Sequence, residues 1–558
     1  MPDLSHSLKH SDLSYLRVVA RLWGIELEAA DMRQALGILL PALLDSALVQ
    51  ELVEDLPAEA RLGLDDLIQN RGRLLWSLFT RRYGIVREMG AGRRDRDRPY
   101  QKPISPAEIL WYRALVGRAF FDMPNGPQEF AYIPDDLLGL VPSGGTAAPT
   151  SLGRAANPAE RASMLPATDR LLDHACTLLA ALRMGLAADE IAAAAAAWKI
   201  TPSFRYLTPE ALQALLRSAG LLDEQGMPQP EPTRLFLEAG RGEAIAQLYR
   251  GWLESTFFDE LRLTPGLSVE GELAHDPTYP RKQILELLSS IPGLGKGEDR
   301  PYWSLPAFVE AVRYSHPDFL RPTGDYDSWF IRDLASVEFL RGFDHWDDVD
   351  GRMLHYLLSG PLHWLGILDL AAHEPGGAVS AFRFSAWAAD LLSGNTPAGL
   401  AEEAESVMIR SDAHIHIPRL APRAVRYQLA RFCSWEGEKE ELYRFCITPG
   451  SLERAHQQGL TTTHLLSLLR RYARPLPPSL VKALEGWEQK GTQARFQRLV
   501  VLRLASPALL ETLRTSKVGR FLGDPLGPTA VVVQPAAVEK VLAFLAELGY
   551  LGEVDPES

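Results

Sequence analysis

The densest group of possible metal ligands lies in one short acidic segment. Asp344, His345, Asp347, Asp348 and Asp350 fall within seven consecutive residues, and carboxylate oxygens are the ligands that hard divalent cations bind. Acidic side chains placed before a helix also satisfy its free N–H groups and its dipole, and this is the commoner role. The sequence leaves both interpretations open. If these acidic residues cap a helix, which is the commoner case, the segment holds no metal, and we predict no metal site and no cofactor.

A glycine-rich segment, IPGLGKGED at residues 291–299, is the nearest match to a phosphate-binding loop. A Walker A loop requires glycine at its first position, and it requires a Ser or Thr hydroxyl after the lysine to bind Mg²⁺. Ser290 occupies the first of these positions and Gly297 the second. The sequence also contains no GxSxG or HExxH motif, which would indicate a serine hydrolase or a zinc protease. We therefore predict no catalytic residues and no enzymatic activity.

Basic residues are concentrated in two parts of a chain whose net charge is −13. Residues 71–118, here called the basic island, carry 12 Lys and Arg against 4 acidic residues, and residues 411–558 carry 19 against 15. Local patches, rather than the net charge, determine what a surface attracts within about 8–10 Å. The candidate phosphate-binding residues are Arg81, Arg82, Arg87, Arg93, Arg94, Arg96, Arg98 and Lys102 in the basic island, and Arg470, Arg471, Arg474, Arg495, Arg498 and Arg503 in the C-terminal region.

Both sets of basic residues also have an interpretation that needs no nucleic acid. Asp95 and Asp97 interrupt the run RRDRDR and would leave it a partly neutralised, solvated loop. Arg470, Arg471 and Arg474 fall at the predicted C-terminal end of a helix, where cations interact favourably with the helix dipole.

The elements that must position these residues are mostly helices. Residues 106–121 have apolar side chains near helical spacing, with Ser105 as the predicted N-cap. A helix that ends in a glycine-bearing apolar turn, followed by a strand and another helix, recurs near residues 214–240 and 360–394. This order is that of winged-helix domains, although short helix–strand alternation is common. We predict a mainly α fold with small β-hairpins (α+β), built from tandem winged-helix-like domains and a C-terminal mixed α/β domain.

Composition divides the chain into four predicted domains. Segments rich in Pro, Gly, Ser and Ala at 141–168 and 275–300 are predicted linkers. The predicted domains are an N-terminal helical or winged-helix-like domain with the basic island, two central winged-helix-like domains and a C-terminal domain, at residues 1–140, 169–274, 301–405 and 411–558.

The C-terminal domain resembles the domain that precedes the motor in XPB-type DNA helicases and that occurs in bacterial helicase-associated proteins. The residues that carry the resemblance are Arg444, Phe445, Ile447, Thr448, Ser451, Leu452, Arg454, Ala455, Gly459, Leu460, Pro475, Leu476, Pro477, Leu480, Leu484, Trp487 and the apolar strand 531–533. The N-terminal LWYRALVGRAF segment has a weaker likeness to the helicase-associated proteins alone. The resemblance implies contact with DNA or with the partners of a helicase. Because no motor follows in the sequence, we expect neither ATPase nor unwinding activity.

These observations predict a non-enzymatic, helicase-associated DNA-binding protein that acts in DNA repair or transcription. Its expected partners are duplex or forked DNA and a separately encoded helicase or transcription machinery, with no small-molecule substrate. The alternative is a protein–protein adaptor that docks on such a complex without touching DNA, which the acidic balance of residues 1–410 favours. We expect a cytoplasmic location and no membrane association, since no signal peptide and no long apolar span are visible.

Overall fold

The structure, a computed structural model, consists mainly of helices with small antiparallel sheets, as the sequence predicts. The described residues are 1–123, 126–142, 152–196, 198, 202–271, 273, 275–291, 293, 300–321, 324–439, 441–494 and 498–554. They form two compact units, the first from residues 1–408 with 415–445 and the second from residues 409–414 with 446–558. The winged-helix topology of the predicted domains stays a prediction.

The N-terminal part of the first unit is a set of helices with one small sheet. Asp3, Asp12, Asp31 and Asp45 each accept a hydrogen bond from a backbone N–H in the first turn of the helix that follows, which fixes where these helices begin. The helices are Leu4–Leu8, Leu13–Leu22, Met32–Leu43, Ser46–Glu54, Ala58–Gln69, Trp76–Tyr83, Ala91–Asp97, Pro106–Tyr112 and Asp135–Leu138. The antiparallel strands, in sheet order, are Arg73–Leu75, Gly126–Tyr132 and Gly117–Met123.

The helix predicted for residues 106–121 begins as expected and ends earlier. The Ser105 hydroxyl accepts a hydrogen bond from the Glu108 backbone N–H at 3.0 Å, so the predicted N-cap is confirmed. The helix ends at Tyr112, and the strand that begins at Gly117 pairs with Tyr132. The prediction of helix beyond Tyr112 is wrong because strand pairing takes those residues, and helical spacing of side chains does not reveal a distant strand partner.

The rest of the first unit is built around one large hydrophobic core. Buried side chains from both predicted central domains belong to it, among them Trp252, Trp346 and Trp364. The helices are Arg170–Met184, Ala188–Ala196, Pro209–Ser218, Pro230–Glu238, Arg241–Glu254, Glu260–Leu263, Thr278–Ser289, Leu305–Ser315, Arg352–Ser359, Pro361–Trp364, Ala388–Leu392 and Arg423–Ala430. The strands are Ser163–Leu165, Leu267–Val269, Trp303–Ser304, Ile331–Asp333, Leu368–Ala372, Val379–Phe384 and Ser434–Lys439. Three further strands each have one end residue in the second unit: Met408–Ile409, His414–Pro418 and Leu442–Cys446.

Both predicted linkers contain regular structure in their described parts. Ser163–Leu165 pairs with Leu370–Ala372 at the edge of a four-stranded antiparallel sheet. Within residues 275–300, helix Thr278–Ser289 buries Ile284 and Leu288 in the large core. The structure thus differs from the linker prediction in these two segments. Pairing with a distant strand and burial of a few apolar side chains order them, although their composition is typical of loops.

A buried ionic network joins distant parts of the first unit. The Arg241 guanidinium donates to Asp169 at 2.5 Å, to Asp173 at 3.0 Å and to Glu403 at 2.8 Å. Arg419 donates to the same two aspartates at 2.9 and 3.0 Å. These pairs hold residues 403 and 419 against the central helices, across the border predicted at residues 405–411.

The second unit has a helical half and a small α/β half. Its helices are Pro449–Gln457, Thr462–Tyr472, Pro478–Lys490, Pro507–Arg514 and Val538–Glu547. Its antiparallel strands, in sheet order, are Val500–Arg503, Ala530–Val533 and Leu522–Gly527. Leu509, Leu513, Val531 and Leu545 pack between this sheet and the last two helices.

In the described part of the chain, no single helix has the length and apolar character needed to cross a membrane. Helices Met32–Leu43 and Ser46–Glu54 meet that requirement only when joined, and they meet at an angle of 76°.

Candidate nucleic-acid interface

Two arginines at the end of helix Trp76–Tyr83 are held by contacts within the first unit. Arg81 donates to Asp318 at 2.8 Å, and its guanidinium lies 4.7 Å from the centre of the Tyr326 ring. Arg82 donates to Asp66 at 2.6 Å and covers the Tyr314 ring at 4.1 Å. The structure therefore gives both predicted phosphate contacts a structural role.

Arg87 and Arg94 are likewise paired with carboxylates. Arg87 donates through two nitrogens to Glu108, at 2.8 and 2.6 Å, and Glu108 is fully buried. Burial opposes ionisation of Glu108, but the hydrogen bonds that Glu108 accepts from Arg87 and from the Ile104 backbone N–H together outweigh burial, so the pKa of Glu108 lies below its usual value. Arg94, only 7% exposed, donates to both oxygens of Asp12 at 2.5 and 2.9 Å. These hydrogen bonds lower the pKa of Asp12.

The remaining candidates of the basic island lie on its surface. Arg93 is 67% exposed and contacts Asp97 at 3.1 Å, one helical turn away, a type of pair that contributes little. Arg96, Arg98 and Lys102 are exposed, and none of their side chains forms an ion pair with another described residue. The four residues Arg93, Arg96, Arg98 and Lys102, here called the island surface, are the predicted phosphate contacts of the basic island that remain exposed.

The C-terminal candidates are exposed wherever the structure describes them. Arg470 and Arg471 end helix Thr462–Tyr472, and Arg474 follows it. Arg498 precedes strand Val500–Arg503, and Arg503 ends it. None of these five arginines forms an ion pair among the described residues. Arg495 lies outside the described residues.

A basic–aromatic cluster in the second unit escaped sequence reasoning. The Arg520 guanidinium and the Lys540 ammonium lie 4.8 and 5.4 Å from the centre of the Phe521 ring. Arg520 and Phe521 are adjacent in sequence, and this adjacency was the only available signal. Lys540 comes from another helix, so only the tertiary structure brings it to the ring.

The acidic segment at residues 344–350 forms ion pairs. Asp347 accepts from Arg313 at 2.5 Å and Asp350 accepts from Arg321 at 3.0 Å. Among the described residues, none of the segment's aspartates belongs to a group of three or more ligands close enough to share an ion. Asp347, Arg313 and Arg352 line a cleft of about 700 Å³. In this cleft Asp347 pairs with Arg313, and Arg352 pairs with Asp333.

Comparisons with known proteins concern the C-terminal region. Residues 407–523 match the family model of the helicase conserved C-terminal domain. A curated protein, the DNA 3'-5' helicase XPB of Kineococcus radiotolerans, is 29% identical over 161 residues, which cover 26% of this chain and 28% of that protein. The C-terminal region is helicase-related. The chain spans less than a third of the length of this relative, and the finer assignment to the domain before the helicase motor stays a prediction.

Proposed function

We propose that this protein is a non-enzymatic DNA-binding accessory protein of a helicase-dependent process in DNA repair or transcription. One observation carries the proposal: the helicase-related region presents Arg470, Arg471 and Arg474 together at one helix end, exposed and without a carboxylate partner among the described residues. Arg498 and Arg503 lie in the same unit and are also exposed, so they offer two more guanidinium groups for phosphate binding.

Free guanidinium groups are what phosphate binding requires. An arginine already paired with a carboxylate must break that pair before it can bind a phosphate, whereas an exposed, unpaired arginine only releases condensed counterions from the DNA. Binding by the five arginines is therefore independent of sequence and strongly dependent on salt. The relative's name states a DNA helicase, which agrees with a DNA partner for this region.

The sequence supports the accessory role, because its nearest match to a phosphate-binding loop is incomplete. Ser290 and Gly297 replace the two Walker A residues that a phosphate loop at 291–299 would need. We therefore expect the protein to bind DNA in the service of a separate motor and not to hydrolyse ATP.

Binding of fluorescent duplex, single-stranded and forked DNA between about 50 and 200 mM salt tests the proposal. Each lost phosphate contact lowers the slope of log affinity against log salt by about 0.9 on duplex DNA, so the triple variant Arg470→Ala, Arg471→Ala, Arg474→Ala should show a slope smaller by about 2 to 3. The control is Arg33→Ala, Arg161→Ala, Arg250→Ala, which removes the same charge from exposed positions of the first unit. An unchanged slope in the first variant would reject these contacts.

The adaptor role is the second candidate, and an exposed apolar loop favours it. Around strand Ile331–Asp333, the side chains of Leu334 and Val337 are 60% and 59% exposed, next to the exposed rings of Phe330 and Phe339. Aromatic and apolar side chains of this kind are common at the centres of protein interfaces. No binding of any DNA at about 50 mM salt would reject the DNA-binding proposal and leave the adaptor as the better interpretation.

A further inference from the structure

A small cavity lies next to the island surface, in the first unit. Its volume is about 240 Å³, and its lining includes Tyr15, Trp76, Arg94, Trp111, Tyr112 and Arg118. Arg94 comes from helix Ala91–Asp97, the helix that also carries Arg93 and Arg96. The cavity is smaller than the roughly 300–1,000 Å³ of pockets for drug-sized ligands. Its size therefore points to an occupant no larger than one ring system.

Aromatic rings from three helices form much of the wall. The Trp76 and Trp111 rings meet edge to face with centroids 5.9 Å apart, and the Tyr15 and Tyr112 rings lie 6.3 Å apart. The Tyr15 hydroxyl donates to the Trp111 carbonyl at 2.6 Å, which holds two of the helices together. Walls of this kind favour a flat, aromatic ligand.

The charges around the cavity are already balanced. Arg87 pairs with Glu108, Arg94 pairs with Asp12, and Arg118 donates to Glu88 at 2.7 Å and to Glu129 at 2.6 Å. The three guanidinium groups disfavour a cationic occupant, and their carboxylate partners remove the need for an anionic one. A neutral ring fits this electrostatic environment.

We propose that this cavity takes one unpaired nucleobase of a DNA strand whose phosphates lie on the island surface. A nucleobase is flat and neutral, so it matches the aromatic wall and the balanced charges of the cavity. The neighbouring exposed cations Arg93, Arg96, Arg98 and Lys102 supply the phosphate contacts that a base alone lacks. This inference rests on the proposed function and makes it specific: the protein distinguishes DNA with an unpaired base from continuous duplex.

The test uses the full-length protein and DNA that carries the fluorescent base 2-aminopurine at a bulged position, with the same base in a paired position as reference. Anisotropy of a distant dye reports binding, and 2-aminopurine emission reports the environment of the base. We expect the emission to change on saturation for the bulged base and not for the paired one. We also expect bulged DNA to bind at least about fivefold more tightly, since stacking of one base on aromatic side chains stabilises binding by about 1–3 kcal/mol.

A cavity-filling variant separates this site from DNA binding in general. Met89 is half-buried and lines the cavity from a segment outside helices and strands, so Met89→Trp should abolish the emission change and the preference for bulged DNA. The control is Met227→Trp, at an exposed position elsewhere in the first unit. Melting temperatures of both variants verify folding.

The possible outcomes decide between the two proposals. DNA bound by the wild type with unchanged 2-aminopurine emission overturns the cavity inference alone, whatever the variants do. A folded Met89→Trp variant that behaves as the wild type also overturns it. No binding of either DNA at about 50 mM salt overturns the proposed function together with this inference.

Discussion

The two basic regions of this protein contain the same residue type in opposite situations. In the basic island, Arg81, Arg82, Arg87 and Arg94 are paired with carboxylates, although the sequence there has three times as many basic as acidic residues. In the second unit, where the balance is nearly even, the arginines at positions 470–474 are exposed. Charge density along a sequence is therefore a poor guide to charge on a surface.

The difference lies in where the partner carboxylates come from. Asp318 is separated from Arg81 by 237 residues and Asp12 from Arg94 by 82 residues. Removing one partner of a buried pair leaves an uncompensated charge and costs about 3–5 kcal/mol, whereas exposed charges contribute about 0–1 kcal/mol. The same substitution should thus affect stability in one region and salt-dependent DNA binding in the other.

The largest expected effect follows from Arg87→Met. This change should lower the free energy of unfolding by about 3 kcal/mol or more, because the fully buried carboxylate of Glu108 loses its counterion. Urea unfolding followed by tryptophan fluorescence measures it. The control Lys102→Met removes an exposed cation from the same segment and should stay within about 0.5 kcal/mol. Equal stability of the two variants would contradict the distinction between the regions.

A smaller loss is expected for Arg81→Ala. Hydrogen bonds to charged groups contribute about 1.5–3 kcal/mol, and Arg81 is partly buried between Asp318 and the Tyr326 ring. The melting temperature should fall, while the salt dependence of DNA binding stays that of the wild type. If the salt slope of DNA binding fell while the melting temperature stayed unchanged, Arg81 would be a DNA contact and not a structural residue.

Lowering the pH should reduce the stability that the ionised Glu108 carboxylate gives to the folded protein. Its pKa in the folded protein lies below the ordinary value of 4.5, so the folded state binds fewer protons than the unfolded state in that range. The stability from its ionised form is present above about pH 4.5 and is lost as the pH falls through the lowered pKa. The amide introduced by Glu108→Gln cannot titrate. The stability difference between the wild type and this variant should therefore narrow as the pH falls from about 6 to about 3, as followed by urea unfolding; a constant difference would contradict the assignment.

The smallest effect on stability is expected for Arg498→Ala combined with Arg503→Ala. Both side chains are exposed and form no ion pair among the described residues, so the melting temperature should not change measurably. The salt slope of duplex binding should fall by up to about 2. A clear drop in melting temperature would mean that these arginines, like those of the basic island, serve the fold.

Local chemistry made part of the fold predictable. Ser105 caps its helix as predicted because N-capping involves residues only three apart. The apolar run at 531–533 lies within strand Ala530–Val533, since such a run can be recognised without knowing its partner. The early end of helix Pro106–Tyr112 could not be read in the same way, because the pairing of Gly117 with Tyr132 decides it.

The candidate sites were predictable only as residue types. The sequence by itself determined a mainly helical fold with small strands, a helicase-related C-terminal region and two regions that contain many arginines. Only the tertiary structure decided which arginines remain free and that Tyr15, Trp76 and Trp111 enclose one cavity. The physical reason is range: caps and apolar spacing act over a few residues, whereas ion pairs and cavities form between segments that only folding brings together.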